Sequence, residues 1–407
     1  MKTIGIVAEF NPFHNGHLHL LNYCKKELGA DYIVIVMSGD FVQRGSPALV
    51  DKFVRTKMAL SCGADLVFEL PVCYSTGSAE FFAQGAVSLL DKLGVVDQLV
   101  FGSECGDTSL LTEVANILVK EPDQYKEALS AHIKKGDSFP VAREKALTGY
   151  MKTAQDNRET DLSVLSSPNN ILGIEYIKAL LSRNSKIEPI AIKRIGEAYD
   201  SEELNSLSSA SGIRSSITSG GISADISSAM PSSCYELLSE NTGRLADNKR
   251  ISDLLHYKLL QEKENGYSVY LDVSEDFSNK ILSKLEKYES FDQFCNVLKS
   301  KDTTYSRISR SLTHILLGIT DSNMAAYKED GYTTFARVLG MKAKSSPLLR
   351  EINKSSKPLL TNIKNAQELL SPLEFRMFKE TLFATEIYNL ACPSKNNNEY
   401  RLKQIIL

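Results

Sequence analysis

Along the first hundred residues the apolar positions alternate between two periods. Residues 3–9 (TIGIVAE) form a short, β-rich apolar run, and after a loop containing Pro, Asn and Gly the segment HLHLLNYCKKELG places its leucines at helical spacing. The pattern then repeats. DYIVIVMS predicts a second buried strand, DKFVRTKMALSCG a helix closed by Gly63, ADLVFELP a third strand ended by Pro71, SAEFFAQGAVSLLDKLG a helix, and QLVFGSE a fourth strand. Apolar strands alternating with helices of this length are built as βαβ units, which give a parallel sheet covered on both faces.

From about residue 109 to 155 the pattern is helical and broken at Pro122, as expected of an insertion at the sheet edge. The α/β alternation resumes with the helix SSPNNILGIEYIKALLSRN and the strand IEPIAIKRI, and a Ser-rich loop, SSASGIRSSITSG, runs into a further helix. Beyond about residue 225 helical periodicity dominates, in ISDLLHYKLLQ, SNKILSKLEKYES, FDQFCNVLKS and SRISRSLTHILLGI. The expected architecture is α/β: a doubly wound, Rossmann-like parallel-sheet domain over residues 1–225, with residues 109–155 as a helical insertion, followed by a mainly α-helical domain over 226–407.

Composition narrows this picture. With 407 residues, 43% apolar and 24% charged, the chain has material for more than one folded unit. The net charge of −3 excludes a uniformly basic nucleic-acid coat. Residues 250–407, however, carry 23 Lys/Arg against 19 Asp/Glu, whereas the remainder carries 24 against 31, so positive charge is concentrated in the C-terminal part. The seven cysteines are scattered without a CxxC pair and read as reduced thiols. No stretch reaches signal-peptide or membrane-span length, so the expected location is cytoplasmic, without a membrane partner.

The strongest chemical signal is Phe10-Asn11-Pro12-Phe13-His14-Asn15-Gly16-His17, between the first strand and the first helix. Ligands of such sheets bind at the carboxyl ends of the strands, where this loop delivers two imidazoles, a glycine and a helix N-terminus. Imidazole N–H groups suit phosphoryl oxygens, and Gly16 permits close backbone approach. No further His, Cys or paired carboxylates stand at zinc-ligand spacing nearby. The loop resembles the HxGH signature of the nucleotidylyltransferase superfamily. Ser208-Ser209-Ala210-Ser211-Gly212-Ile213-Arg214 resembles that superfamily's second phosphate-binding element, with serine where threonine is common and Gly212 as a small departure. Ser209 and Ser211 are candidates to hold the outer phosphates, and Arg214 to neutralise departing pyrophosphate. Gly39 to Gly45, Gly102-Ser103-Glu104, Pro168 to Gly173 and Lys193-Arg194 all follow strands or open helices at the same expected edge.

These segments together resemble the bacterial tRNA(Met) cytidine acetate ligase family: GIVAEFNPFHNGHLHLL, VMSGDFVQRGSPALVDKFVRTKMAL, LVFELP, FGSE, SPNNILGIEYIKAL and SASGIRSSI, and more loosely YSRISRSLTHILLGI and YTTFARVLGM. The resemblance implies a doubly wound nucleotidylyltransferase domain that joins acetate to ATP, forming acetyl-adenylate and pyrophosphate. It then implies acetylation of the wobble cytidine in the anticodon of elongator tRNA(Met), with no DNA partner. ATP is a substrate, expected with Mg2+, and no tightly bound cofactor is implied. His14, His17 and Arg214 are the implied catalytic groups. The implied ATP-binding residues are Val7, Ala8, Glu9, Phe10, Asn11, Pro12, Phe13, Asn15, Gly16, Leu18, His19, Leu20, Gly102, Asn169, Asn170 and Arg194, together with Ser209 and Ser211.

Single-stranded RNA is held by basic groups interleaved with aromatics. Lys299, Lys301, Tyr305, Arg307 and Arg310, then Arg337, Lys342, Lys344 and Arg350, have that character and are the candidate RNA-binding set. Two other functions remain open from the residues alone: a nucleotidylyltransferase with a small phosphate or nucleotide acceptor, and a non-catalytic, nucleotide-responsive RNA-binding protein.

Overall fold

The computed structural model describes residues 1–137, 139–154, 167–194, 209–301, 303–355, 358–393 and 399–407. Its centre is an eight-stranded sheet. Five strands form the expected parallel array: β1 (Thr3–Ala8), β2 (Tyr32–Ser38), β5 (Leu66–Leu70), β6 (Gln98–Ser103) and β7 (Glu188–Lys193). Between β2 and β5 the chain makes a small antiparallel hairpin, β3 (Phe41–Val42) and β4 (Ser46–Pro47), outside the sheet. The order across the parallel part is β5-β2-β1-β6-β7. The chain winds one way from β1 to β5 and then returns to the other side of β1 with β6, so the switch point lies at the carboxyl ends of β1 and β6.

Side chains of β2 alternate between two hydrophobic layers: Val34 and Val36 join one, Ile33, Ile35 and Met37 the other. Helices α1 (Asn15–Lys26) and α2 (Lys52–Ser61) cover the second layer. The first is covered by α3 (Val72–Ser75), α4 (Ala79–Leu93), α5 (Thr108–Lys120), α6 (Asp123–Lys134), α7 (Phe139–Ala154) and α8 (Pro168–Ser182). Helices α5 to α7 fall within the expected insertion, and the break between α5 and α6 lies at Pro122. Helix α9 (Ala210–Gly220) returns to the second layer through Ile213 and Ile217, followed by α10 (Ala224–Ala229) and α11 (Ser232–Glu240), so the expected boundary at 225/226 falls inside α10.

The C-terminal half is mainly helical, with α12 (Asn248–Glu262), α13 (Glu275–Lys284), α14 (Phe291–Leu298), α15 (Tyr305–Leu317), α16 (Asp321–Glu329), α17 (Ser346–Lys354), α18 (Ala366–Leu369) and α19 (Pro372–Ala391). It also re-enters the sheet, which the helical reading beyond residue 225 does not anticipate. Strand β8 (Ala336–Met341) pairs antiparallel with β5, and β9 (Leu359–Leu360) and β10 (Ile405–Ile406) pair parallel with β8. All six residues of β8 are buried, so its sequence lacks the alternation that marks a half-exposed strand. Among the described residues no helix is long and apolar enough to cross a membrane.

Candidate nucleotide site

The chain leaves β1 at the switch point and turns sharply. Phe10 takes a φ of 47°, in the left-handed region, and the Asn11–Pro12 peptide is cis. Phe10 and Phe13 are buried and pack against His17, Phe10 edge-on and Phe13 tilted, with ring centroids 4.9 and 5.4 Å away. They form the floor on which the histidines rest.

His14 caps α1: its Nδ1 accepts from the Gly16 amide at 3.0 Å, while His17 Nδ1 accepts from the His14 amide at 3.2 Å. A nitrogen that accepts from an amide carries no proton, so each neutral ring keeps its hydrogen on Nε2, the remaining donor. The rings lie 3.8 Å apart, centroid to centroid. Burial, reinforced by the Arg194 and Arg214 charges, brings His14 down to about 4. Burial, then His14 and Arg194, also holds His17 well below the usual imidazole range. Both rings are therefore neutral hydrogen-bond donors at pH 7, and positive charge comes from the arginines.

Those arginines arrive from separate elements. Arg214, on α9, donates from Nη1 to the Asn11 carbonyl at 2.5 Å, which ties the Ser-rich element to the β1 loop. Ser209 caps α9 by accepting from the Gly212 amide at 3.2 Å, and Ser211 stands exposed in its first turn. Ser208 lies outside the described residues. Arg194 follows β7, and its Nη1 lies 3.5 Å from Asn169 Oδ1. Gly102 makes room for it: a Cβ there would stand 3.2 Å from Arg194 Cγ.

The remaining residues of the β1 loop and α1 divide between lining and support. Glu9 accepts from the Gln43 amide at 2.9 Å, and Asn11 Oδ1 from the Leu49 amide at 2.8 Å. Asn15 donates to the Ser228 carbonyl at 2.8 Å, joining α1 to α10. Val7, Ala8, Leu18 and Leu20 pack against the two hydrophobic layers, and His19 is exposed on α1. Asn169 and Asn170 are both engaged with Glu104. Its carboxylate accepts from the Asn169 and Asn170 amides at 3.1 and 2.8 Å and from Asn169 Nδ2 at 2.6 Å, while Asn170 Oδ1 accepts from the Glu104 amide at 2.9 Å. Glu104 thus caps α8 in place of Ser167, whose side chain makes no capping bond.

Arg55 is a support that motif reading does not single out. Fully buried on α2, it donates to the carbonyls of Val50 at 3.0 Å, Glu9 at 2.7 Å, Ser38 at 2.9 Å and Gly39. One guanidinium thereby fixes the loops leaving β1 and β2. Its only sequence signal is a basic residue in an otherwise core-facing helix.

Residues 1–403 match the family model described as HIGH Nucleotidyl Transferase. The tRNA(Met) cytidine acetate ligase of Clostridium perfringens strain SM101 is 42% identical over 414 residues, covering all of both chains. That of Thermoanaerobacter sp. strain X514 is 42% identical over 96% of each. The chain belongs to the tRNA(Met) cytidine acetate ligase family. A crystal structure of Thermotoga maritima TmcAL bound with alpha-thio ATP matches with a TM-score of 0.91 and 32% identity, over 100% of this chain and 99% of that one.

The candidate RNA-binding residues of this family member fall into three groups. Lys299, Lys301 and Arg307 are exposed, and Tyr305 and Arg310 half-buried, on α15 and the connection that leads to it from α14. Helix α15 docks on the β3–β4 hairpin, where Ser309 and Thr313 hydroxyls donate to the Gly45 carbonyl at 2.9 and 2.7 Å. This group stands on the carboxyl side of β2, the side of the nucleotide loop. Lys342, Lys344 and Arg350 lie elsewhere: the Lys342 amide donates to the carbonyl of Asp65, just before β5, and Lys344 Nζ lies 3.5 Å from Asp65 Oδ1, at the amino end of the parallel strands. Arg337 corrects the expectation outright. It is buried in β8, with Nη1 2.5 Å from Glu69 Oε2 and Nη2 on Glu399, so it presents no charge to an RNA. Lys52 completes this buried network at 2.7 Å from Glu69 and 2.6 Å from Glu399. Burial alone would raise the Glu399 carboxyl, but the Arg337 and Lys52 charges hold it at about 2.

Proposed function

We propose that the protein is an ATP-dependent ligase. It activates acetate as acetyl-adenylate and acetylates the exocyclic amine of the wobble cytidine of elongator tRNA(Met), giving N4-acetylcytidine, in the cytoplasm. The observation that carries this reading is the convergence of His14, His17, Arg194 and Arg214 at the sheet's switch point, in a chain similar from end to end to tRNA(Met) cytidine acetate ligases.

The chemistry follows from the poor reactivity of both partners. Acetate does not acylate an aromatic amine, so its carboxylate first attacks the α-phosphorus of ATP; the new P–O bond forms as the bond to pyrophosphate breaks. This step needs positioning and charge stabilisation rather than a protein nucleophile. The two Nε2–H groups donate to phosphoryl oxygens, and Arg214 and Arg194 offset the charge that accumulates on them. Neutral histidines suit this arrangement, because an imidazolium beside two arginines would be repelled by both. The cytidine amine then attacks the acetyl carbon, AMP departs, and the amine loses a proton.

Among the described residues no group of three or more His, Cys, Asp or Glu could hold a metal ion. Magnesium arriving with the ATP substrate would draw most of its ligands from the phosphates and water.

Pyrophosphate exchange into ATP, with and without acetate and without RNA, tests the first half-reaction. Acetate-dependent exchange, abolished by His17→Ala in a folded protein, is the expected result. No exchange, together with no transfer of labelled acetate to tRNA, would refute the ligase reading in favour of a small acceptor.

A further inference from the structure

Beyond the β3–β4 hairpin from the nucleotide loop lies a cavity of about 180 Å³ whose lining includes none of the candidate nucleotide-site residues. One wall is the β3–β4 hairpin, through Arg44 and Ser46; the other is the helical half, through Ile251 of α12, Phe291 and Asp292 of α14, and Tyr305 of α15. The hairpin is tied to the site, since the Gln43 amide donates to Glu9. It is also fixed against α15: Gly45, at φ 71°, packs so closely that a Cβ would stand 2.6 Å from the Arg310 nitrogen. The walls of the cavity therefore belong to two halves of the chain that are locked together, with the hairpin tied to the β1 loop.

Its size selects among ligands. A cavity of roughly 150 Å³ accepts a benzene ring, whereas sites for whole drug-sized molecules begin near 300 Å³. The space fits one six-membered ring with small substituents and is too small for a nucleotide. Ile251 and Phe291 are buried and give it an apolar, aromatic interior. Its polar lining is Arg44, Ser46, Asn248, Ser309 and Asp292, of which Asp292, at the exposed rim, is the one carboxylate. The Tyr305 hydroxyl donates to Asp292 Oδ1 at 2.5 Å, which fixes the carboxylate and leaves Oδ2 as an acceptor. A carboxylate accepts from the exocyclic amine of cytosine and repels the carbonyl oxygen that uracil carries at the same position. Outside, Arg307 on α15 and Lys299 and Lys301 in the connection from α14 to α15 are exposed, and Arg44 stands exposed on the hairpin. Arg44 is also near enough to Arg214 for its charge to act on that guanidinium. Cationic groups around an aromatic slot are what an unstacked base with its flanking phosphates requires.

We propose that this cavity seats the acceptor cytosine of the RNA, with Phe291 and Tyr305 against the ring and Asp292 accepting from the exocyclic amine. The proposal rests on the ligase reading above and extends it to the second substrate. It makes Asp292 the group that distinguishes cytosine from uracil.

The test uses the full chain and anticodon stem-loops of tRNA(Met) carrying cytidine or uridine at the acceptor position. Binding of both is measured alongside acetate-dependent ATP–pyrophosphate exchange and acetylation of the cytidine stem-loop. For Asp292→Asn, whose amide can donate to the uracil oxygen, preference for cytidine over uridine is expected to fall at least about ten-fold. Acetylation should fall relative to exchange. Ser46→Phe, which fills the cavity from the hairpin side, should lower acetylation relative to exchange without restoring uridine binding. Unchanged base preference in Asp292→Asn, or undiminished acetylation in a folded Ser46→Phe protein, would overturn the proposal. If the unsubstituted protein shows neither acetate-dependent exchange nor acetylation, the ligase reading fails instead, so the two failures are distinguishable.

Discussion

Neutral His14 ties the proposed phosphate-donor role to stability in a way that can be measured. Unfolded, its imidazole titrates near 6.5; folded, burial and the two arginines bring it to about 4. Between these values the unfolded chain binds a proton that the folded chain does not, so stability is lost as pH falls. Integrating from pH 7 to pH 5 gives a loss of about 2 kcal/mol for this residue, out of roughly 3 kcal/mol for the full displacement. His17 shifts in the same direction and adds to it. Other groups titrate in this range, including Glu380, which burial raises to about 7 and which contributes with the opposite sign. The informative quantity is therefore a difference between proteins. His14→Asn retains a side chain able to accept the Gly16 amide as an N-cap while removing the titration. Urea unfolding at pH 7 and pH 5 should show the native protein losing about 2 kcal/mol more than the variant. In 13C-histidine-labelled protein, the signal absent from the variant should titrate near pH 4. Equal pH dependence of the two proteins, or a midpoint near 6.5, would refute the assignment of His14 as a neutral phosphate donor.

Three further outcomes follow from the site's supports. Gly102→Ala presses on Arg194 Cγ and displaces its guanidinium by a few tenths of an ångström, which should raise KM for ATP about three- to ten-fold in exchange assays with little change in Tm. Arg55→Met strands the carbonyls of Val50, Glu9, Ser38 and Gly39, with an expected loss of about 3 to 5 kcal/mol in urea unfolding; a loss below about 1 kcal/mol would show that water replaces the guanidinium. Replacing Lys299, Lys301 and Arg307 together by Ala should flatten the salt dependence of tRNA binding, by about 0.7 in the log–log slope for each phosphate left without its cation. The same treatment of Lys342, Lys344 and Arg350, at the other end of the strands, should leave that slope unchanged.

What the sequence makes legible here is local, and what it conceals is long-range. The β1 loop can be read because its functional groups lie within about eight residues and the strand and helix flanking them both have clear periods. The same holds for the α9 element, where a serine cap, a helix start and Arg214 occur in one short run. Arg337 is misread for the opposite reason. Within YTTFARVLGM it is a basic residue beside aromatics, the pattern of an RNA contact, and nothing local announces Glu69 and Glu399, which neutralise it from 268 and 62 residues away. The same blindness hides β8: a strand inserted next to β5 by a late segment is buried on both faces and resembles a core helix fragment. Arg55 escapes for a third reason, since it acts on backbone carbonyls, which every residue possesses and no motif records; Glu104 is placed at the right edge by its segment, but its capping of α8 is not legible for the same reason. The ionic network of Lys52, Glu69, Arg337 and Glu399 connects these cases. It draws a turn near the end of the chain into the sheet directly behind the loop that follows β2, where a Cβ on Gly39 would stand 2.8 Å from Glu69 Oε1. The helical half is thus built into the wall behind the loop that follows β2, and that loop is tied through Gln43 to Glu9 of the candidate nucleotide site.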